Sequence, residues 1–360
     1  MKKGDLSKLV RPNVRALKAY EAKEIPCRVK LDANESPYSP LPPEKIFSNK
    51  DVLCSLNRYP DPEAKALKKA LAKALKVTDK DLLFGNGSDE LIYYLITTFG
   101  GPVLFPTPTF VMYGVIAQAL GEKPIGVPLD ATFDLDMDRM LAIIKKDKPK
   151  LVFLSSPNNP TGNCYSADRI LKVIEASKGI VVVDEAYQPF SSSRGFLPLL
   201  KDYKNLIILR TMSKIGFAAL RVGYMIADEI LINEVNKVRL PYNLNALSQT
   251  AALEGIKNKK VVDARIRAIT DERERLFDEL AALEGVTPFP SEANFILFKV
   301  TDPEKIFQGL LKQGVLIKNM DRVIGHAMRV TVGSRAENTI FIDALKKVLN
   351  KYPKIGQSRT

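Results

Sequence analysis

An α/β fold is what this chain predicts: a mostly parallel sheet with helices on both faces, joined to a smaller α+β domain. Three observations predict it. Between about residues 45 and 260, short runs rich in valine, isoleucine and leucine alternate with amphipathic stretches. The runs are continuously apolar, the pattern of strands buried on both faces. After Gly285 the apolar runs show more alternation, as in a separate mixed α+β unit. A length of 360 residues with 46% hydrophobic residues suits two domains, at roughly 100–200 residues each. The division is expected at residues 45–264 for the large domain, with 1–44 and 265–360 forming the small one.

Taken in order, LDANESPYSPLPP (31–43) is proline-rich and irregular, and is expected beside the small domain. PEAKALKKALAKALK (62–76) is an amphipathic segment with lysines on its polar side. The expected strands are DLLFG (81–85), PVLF (102–105), KLVFLSS (150–156), GIVVVDE (179–185), NLIILR (205–210) and VGYMIA (222–227). Helices DELIYYLITTF (89–99) and ADRILKVIEAS (167–177) lie between them. In ARIRAITDERERLFDELAAL (264–283), Ile266, Ile269, Leu276, Phe277, Leu280 and Leu283 fall at helical spacing. NFILFKV (294–300), GVLIKN (314–319) and AMRVTVG (327–333) read as alternating strands, and ENTIFIDALKKVL (337–349) as the closing helix. KIGQSRT (354–360) is expected to fray.

Composition narrows the chemistry. The net charge of +13 is spread along amphipathic segments, with aromatics at 8% and no tryptophan. That argues against a nucleic-acid partner and is compatible with a small anionic substrate. Cys27, Cys54 and Cys164 lie far apart without a CxxC pair, as in a cytoplasmic protein with reduced thiols. MKKGDLSKLVRP carries no signal-peptide core, and no run approaches the ~20 apolar residues of a membrane span. His326 is the single histidine. A zinc centre of several His and Cys ligands is thereby disfavoured, and no metal site is expected. A Ser–His–Asp triad would have to use His326, and no GxSxG elbow accompanies it. Acid–base work therefore falls to lysine, carboxylate or tyrosine.

Ligands of open parallel sheets bind at the carboxyl ends of the strands, so the residues after each apolar run belong together. GNGSDE (85–90) offers Gly87 for a tight turn, Ser88 as a cap and Asp89, with backbone N–H groups facing outward. That is a phosphate cradle at a helix N-terminus. SSPNNPTG (155–162) presents Asn158 or Asn159 as a rigid amide. Asp184, after four buried apolar residues, demands a cation, and Tyr187 follows it by three. RTMSK (210–214) supplies Thr211, Ser213 and Lys214, with Arg221 seven residues on. Pyridoxal phosphate asks for such a set: an amine for its aldehyde, a carboxylate for its ring nitrogen, donors for its phenolic oxygen and phosphate.

At this point the chain resembles the fold-type I pyridoxal-phosphate aminotransferases, and among them the branch acting on histidinol phosphate. The likeness runs through LDANESPY (31–38), NRYPDP (57–62), GNGSDELI, FPTPTFVMY (105–113), SPNNPTG, VVDEAY, TMSK with LRVG, RLPYNLN (239–245) and MRVTVGSR (328–335). The resemblance implies Lys214 as Schiff-base lysine and proton shuttle, and Asp184 as partner of the pyridine nitrogen. It places Asn159 and Tyr187 at the phenolic oxygen. Gly87, Ser88, Asp89, Thr211, Ser213 and Arg221 surround the phosphate. Tyr59 reaches that phosphate from the other subunit, which implies a homodimer with shared active sites. Arg329 would grip a substrate carboxylate, with Asn34 also in the substrate site and Tyr20 near the substrate phosphate.

Departures from the family pattern stand out. Phe110 takes the place of a ring-stacking tyrosine, the Lys214–Arg221 spacing is one residue short, and Lys318 replaces a phosphate-binding arginine, with Arg322 and Arg335 nearby. His326 reads as a loop or strand-edge residue. The implied reaction passes an amino group from L-histidinol phosphate to 2-oxoglutarate, giving imidazole acetol phosphate and L-glutamate, in histidine biosynthesis. An aromatic amino-acid aminotransferase and a phosphothreonine-type decarboxylase on the same scaffold are the alternatives.

Overall fold

The computed structural model describes residues 7–19, 24–46, 52 and 54–351. After a short strand β1 (Val29–Leu31), the chain forms β2 (Leu82–Asn86), β3 (Val103–Thr107), β4 (Pro124–Pro128), β5 (Leu151–Ser155), β6 (Ile180–Asp184), β7 (Leu206–Thr211) and β8 (Val222–Ala227). Strands β2 to β8 make one sheet in the order β2-β8-β7-β6-β5-β3-β4. It is parallel except for β8, which runs antiparallel to both β2 and β7. Residues 212–221 link β7 to β8, a connection shorter than the dozen or more residues a parallel crossover needs. The reversal has a consequence for the site: Arg221, just before β8, lands at the same sheet end as Lys214, just after β7.

The helices longer than one turn in this region are α1 (Lys65–Leu75), α2 (Ser88–Phe99), α3 (Met112–Leu120), α4 (Met137–Asp147), α5 (Ala167–Ala176), α6 (Glu229–Asn236) and α7 (Ala246–Lys257). They cover both faces of the sheet. Val181, Val183 and Ile208 pack with Leu71, Ile144, Val173 and Ala252 on one side. Val182, Ile207 and Leu209 pack with Leu91, Leu95, Ile116 and Val235 on the other. Neighbouring strand residues point to opposite faces, so both parities must be apolar, which is why the runs are continuous. Each such side chain contributes about 1.5–3 kcal/mol through burial. Strand β4 has no such signature, since PIGVP carries proline at both ends and only Val127 is buried. Its place at the sheet edge accommodates the prolines.

Helix α8 (Lys259–Ala281) then leads to β9 (Thr287–Pro288), β10 (Phe295–Lys299), α9 (Pro303–Lys312), β11 (Val315–Asn319), β12 (Ala327–Thr331) and α10 (Arg335–Lys351). The second sheet has the order β1-β11-β12-β10-β9. β1 joins it parallel to β11 through Val29↔Val315 and Leu31↔Ile317, and the other pairs are antiparallel. Helix α8 is unbroken across residue 264: Val262 packs in the first core, whereas Ile269, Leu276 and Leu280 pack in the second.

The alternation expected of these strands is not what the structure has. β10 is buried at its first four residues and β12 at all five. Ile296, Phe298, Met328 and Val330 lie in the core with α9 and α10, while Phe295, Arg329 and Thr331 are buried too. The opposite sheet face is covered by loops that carry the candidate site. Among the described residues no helix is long and apolar enough to cross a membrane.

Candidate active site

Asp184 ends β6 with 3% of its surface exposed. Its Oδ2 accepts a hydrogen bond from the Tyr113 hydroxyl at 2.7 Å, and its Oδ1 one from the Ala186 N–H at 3.0 Å. Burial pushes the carboxyl pKa up to about 6, against the opposing pull of the Tyr113 hydrogen bond. Among the described residues no cationic side chain pairs with it. Tyr113 is wholly buried on α3 and stacks on Phe153, with ring centroids 4.7 Å apart. Burial, then the neighbouring Asp184 charge, hold the Tyr113 hydroxyl well above its ordinary pKa. Phe110 meets Tyr113 edge-on at 5.6 Å.

Tyr187, buried at 4% exposure, accepts a hydrogen bond on its hydroxyl from Asn34 Nδ2 at 2.9 Å. Asn34 adopts a left-handed φ of 56° and is pinned on three sides. Its N–H donates to Thr331 Oγ1 at 2.9 Å, and its carbonyl accepts from Asn294 Nδ2 at 3.0 Å. Lys214 Nζ lies 5.8 Å from the Tyr187 ring centroid and reaches the Ala33 carbonyl at 3.5 Å. The N-terminal segment, β6 and β7 thus converge on one lysine.

Arg329 donates to the Asp32 carbonyl at 2.9 Å and to Asn159 Oδ1, with its guanidinium 5.1 Å from the Phe295 ring. Asn158 is excluded from a ligand role. Its Nδ2 donates to the Pro108 carbonyl and Thr161 Oγ1, and its Oδ1 accepts from Thr109. The Asn158 amide holds the loop, and Asn159 is the one that faces Arg329. Lys318 is exposed and stands directly opposite Arg329 in the β11–β12 ladder, so both side chains leave the same sheet face.

The turn after β2 departs from expectation. Gly87, at φ 83°, occupies the N-cap position, and α2 begins at Ser88 without a side-chain cap. Ser88 is therefore the first helical residue and not the cap, which leaves the first-turn N–H groups available. Arg221 Nη2 pairs with Asp89 Oδ2 at 3.0 Å, and the Gly87 N–H donates to the Arg221 carbonyl at 2.8 Å. Thr211 Oγ1 and Ser213 Oγ lie 3.0 Å apart. A Cβ on Gly223 would sit 2.4 Å from the Gly87 carbon and the Ser88 nitrogen, backbone atoms that cannot yield. Gly223→Ala is expected to destabilise the fold by about 1–3 kcal/mol, read as a lower denaturant midpoint at unchanged slope.

Other candidates stand elsewhere. Tyr59 is 80% exposed and stacks on Tyr242 at 4.4 Å, and no hydrogen bond joins it to the other candidates among the described residues. Arg335 lies 4.0 Å from Glu272. His326 sits in a loop at φ 64°, its Nδ1 3.2 Å from the Thr301 carbonyl. Tyr20 lies outside the described residues. Cys27, Cys54 and Cys164 are unpaired. Among the described residues no group of three or more His, Cys, Asp or Glu is arranged around a metal position. Sequence reasoning missed Tyr113. Its available signal was the three-residue spacing from Phe110, which puts both rings on one side of a helix start.

Residues 28–345 match the family model described as aminotransferase class I and II. The chain is 42% identical over 352 residues to a histidinol-phosphate aminotransferase of Thermoanaerobacter pseudethanolicus, covering 96% of this chain and 99% of that one. It is 41% identical over 352 residues to that of Aquifex aeolicus, covering 94% and 98%. The solved histidinol-phosphate aminotransferase from Clostridium acetobutylicum superposes with a TM-score of 0.83 at 26% identity, covering 90% and 99%. The one from Sinorhizobium meliloti, in complex with pyridoxal-5'-phosphate, gives 0.85 at 23% identity, covering 96% and 98%, a likeness of fold. On a family match over most of its length and relatives about 42% identical across nearly the whole chain, the chain belongs to the class I and II aminotransferases, in the histidinol-phosphate aminotransferase family.

Proposed function

We propose that the chain is a pyridoxal-phosphate-dependent, cytoplasmic, homodimeric aminotransferase that moves the amino group of L-histidinol phosphate to 2-oxoglutarate in histidine biosynthesis. The observation that carries this reading is Asp184: a carboxylate 3% exposed, with no cation beside it among the described residues, one strand away from the turn that holds Lys214. A buried acid of this kind calls for a positive partner, and a protonated pyridine nitrogen is one. The glycine turn fits the same ligand: the backbone at Gly87, with φ 83°, favours glycine and leaves the Arg221 guanidinium room beside the α2 N-terminus. Residues 45–264 form the cofactor-binding domain in this reading, and 1–44 with 265–360 the smaller one.

When bound, pyridoxal phosphate supplies an aldehyde that bonds amines and a ring that accepts the electron pair left on the substrate carbon. The chain's residues do the rest. Asp184 holds a proton at the ring nitrogen, and Phe110 covers a ring face. Asn159 and Tyr187 hold the phenolic oxygen. The N–H groups of Ser88 and Asp89 at the α2 N-terminus, with the Thr211 and Ser213 hydroxyls, bind the phosphate. Asp89 fixes the Arg221 guanidinium for that task. Lys214 Nζ takes up the proton that leaves the substrate carbon. Tyr59 contributes from the partner subunit, which accounts for a large aromatic ring left 80% exposed on one chain.

Substrate choice rests on Lys318 and Arg329. Like charges directly opposite on a ladder repel, and an anion placed between them relieves the repulsion. L-Histidinol phosphate brings a phosphate and no carboxylate, whereas glutamate brings two carboxylates, so one basic pair serves both half-reactions. Turnover of L-histidinol phosphate, phenylalanine and phosphothreonine, followed as glutamate formed and as carbon dioxide released, tests the assignment. Histidinol phosphate is expected to lead, and Lys318→Ala to lower its kcat/KM about tenfold through KM. Phenylalanine as the better donor, or carbon dioxide from phosphothreonine, overturns it.

A further inference from the structure

We propose that Tyr113 is a positioning residue: its hydroxyl fixes the Asp184 carboxylate in the orientation that engages the cofactor's ring nitrogen. This rests on the cofactor reading above and adds to it a residue that acts through another. Asp184 has one donor on each oxygen, the Tyr113 O–H at 2.7 Å on Oδ2 and the Ala186 N–H at 3.0 Å on Oδ1. The second is backbone. Tyr113 is therefore the one side chain among the described residues that donates to this carboxylate.

The tyrosine is held so that its hydroxyl has no other place to go. Its ring lies 10° from parallel to Phe153 at 4.7 Å, with Phe110 at 5.6 Å and Phe105 at 6.3 Å on other sides. Ser155, the cross-strand partner of Asp184, donates its own hydroxyl proton to the Pro157 carbonyl at 3.1 Å. Burial raises the hydroxyl's pKa far above the working range, so it remains a donor. A hydrogen bond onto a charged, desolvated oxygen is among the stronger kinds. Helix α3 is itself anchored at its far end. Asn13 Nδ2 donates to the Gln118 and Ala119 carbonyls at 2.8 and 2.9 Å, and Arg11 donates to Leu120 at 3.2 Å. These satisfy carbonyls that a helix C-terminus leaves open. One anchored helix thus carries the hydroxyl that orients Asp184, and Phe110 lies two residues before its start.

The test is the dissociation constant of apoprotein for two ligands: pyridoxal phosphate, and its analogue with C–H in place of the ring nitrogen. Aldehyde and phosphate contacts are common to both, so the difference isolates the nitrogen. Tyr113→Phe keeps the ring and its packing, and is expected to weaken pyridoxal phosphate binding about 10- to 100-fold while changing the analogue less than about threefold. In an Asp184→Asn background the same replacement is expected to have no further effect. Equal weakening for both ligands, as a general loosening would give, or no weakening for either, overturns the proposal. Failure of the unaltered protein to bind pyridoxal phosphate would instead remove the cofactor reading. Should the Phe variant not fold, difluorotyrosine at position 113 preserves the shape and alters only the donor. Pyridoxal phosphate affinity is then expected to change and analogue affinity to hold, and identical responses overturn the proposal.

Discussion

Lys214→Ala is expected to lower transamination by about 10⁴-fold or more, the combined loss of a covalent anchor and a positioned proton carrier. The fold should scarcely notice. Lys214 is only partly buried, and its contacts are a 3.5 Å approach to the Ala33 carbonyl and a 5.8 Å approach to the Tyr187 ring. Losses at such a position stay within about 1 kcal/mol. Activity and stability therefore separate, which distinguishes a reacting amine from a structural one. The two halves of the catalytic loss separate as well. A small primary amine added to the buffer can carry a proton but cannot anchor the cofactor in place. It is expected to restore part of the rate of proton removal from substrate, in proportion to its concentration. Measured kcat/KM within about tenfold of the unaltered enzyme would refute the role given to this residue.

How much of this could be read beforehand varies with the kind of signal. The strands beneath the site were legible because both faces of the large sheet must be apolar, as in Ile180–Asp184 and Leu206–Thr211. Strand direction was not, since VGYMIA reads the same way up or down; only the short 212–221 connection hints that β8 turns back. PIGVP was hidden by its prolines, whose compatibility depends on an edge position that exists only in the folded sheet. Asn158 and Asn159 are chemically equal in sequence, and the two are separated only by the partners that surround them. Tyr113 carries no adjacent signal of its contact with Asp184, because its hydroxyl partner lies 71 residues away. Local chemistry at strand ends is written in adjacent residues, whereas the fixing of one side chain by another is written in the packing.

Asp184→Asn is the second large effect, expected to cut kcat about 10³-fold, as loss of a charge from a water-excluded site does. The amide cannot hold a proton on the ring nitrogen. A cofactor analogue carrying a permanent positive charge on that nitrogen, such as the N-methyl derivative, should therefore recover more of the lost rate in the variant than in the unaltered enzyme. The same carboxylate leaves a mark on stability without cofactor. Burial holds its pKa at about 6 in the folded chain, against about 3.9 when unfolded. Between these values the folded state keeps a proton that the unfolded state has lost, so stability falls as pH rises through that window and levels off above it. A difference of about two pKa units corresponds to roughly 3 kcal/mol. Bound cofactor supplies the missing cation and should remove this component, as should the asparagine. Unfolding free energies of the apoprotein and its Asp184→Asn variant, measured from about pH 4.5 to 7.5, should differ in slope below pH 6 and run parallel above. Parallel curves throughout would mean that Asp184 is ionised at no cost, and the charge-partner account of the site would fall with it.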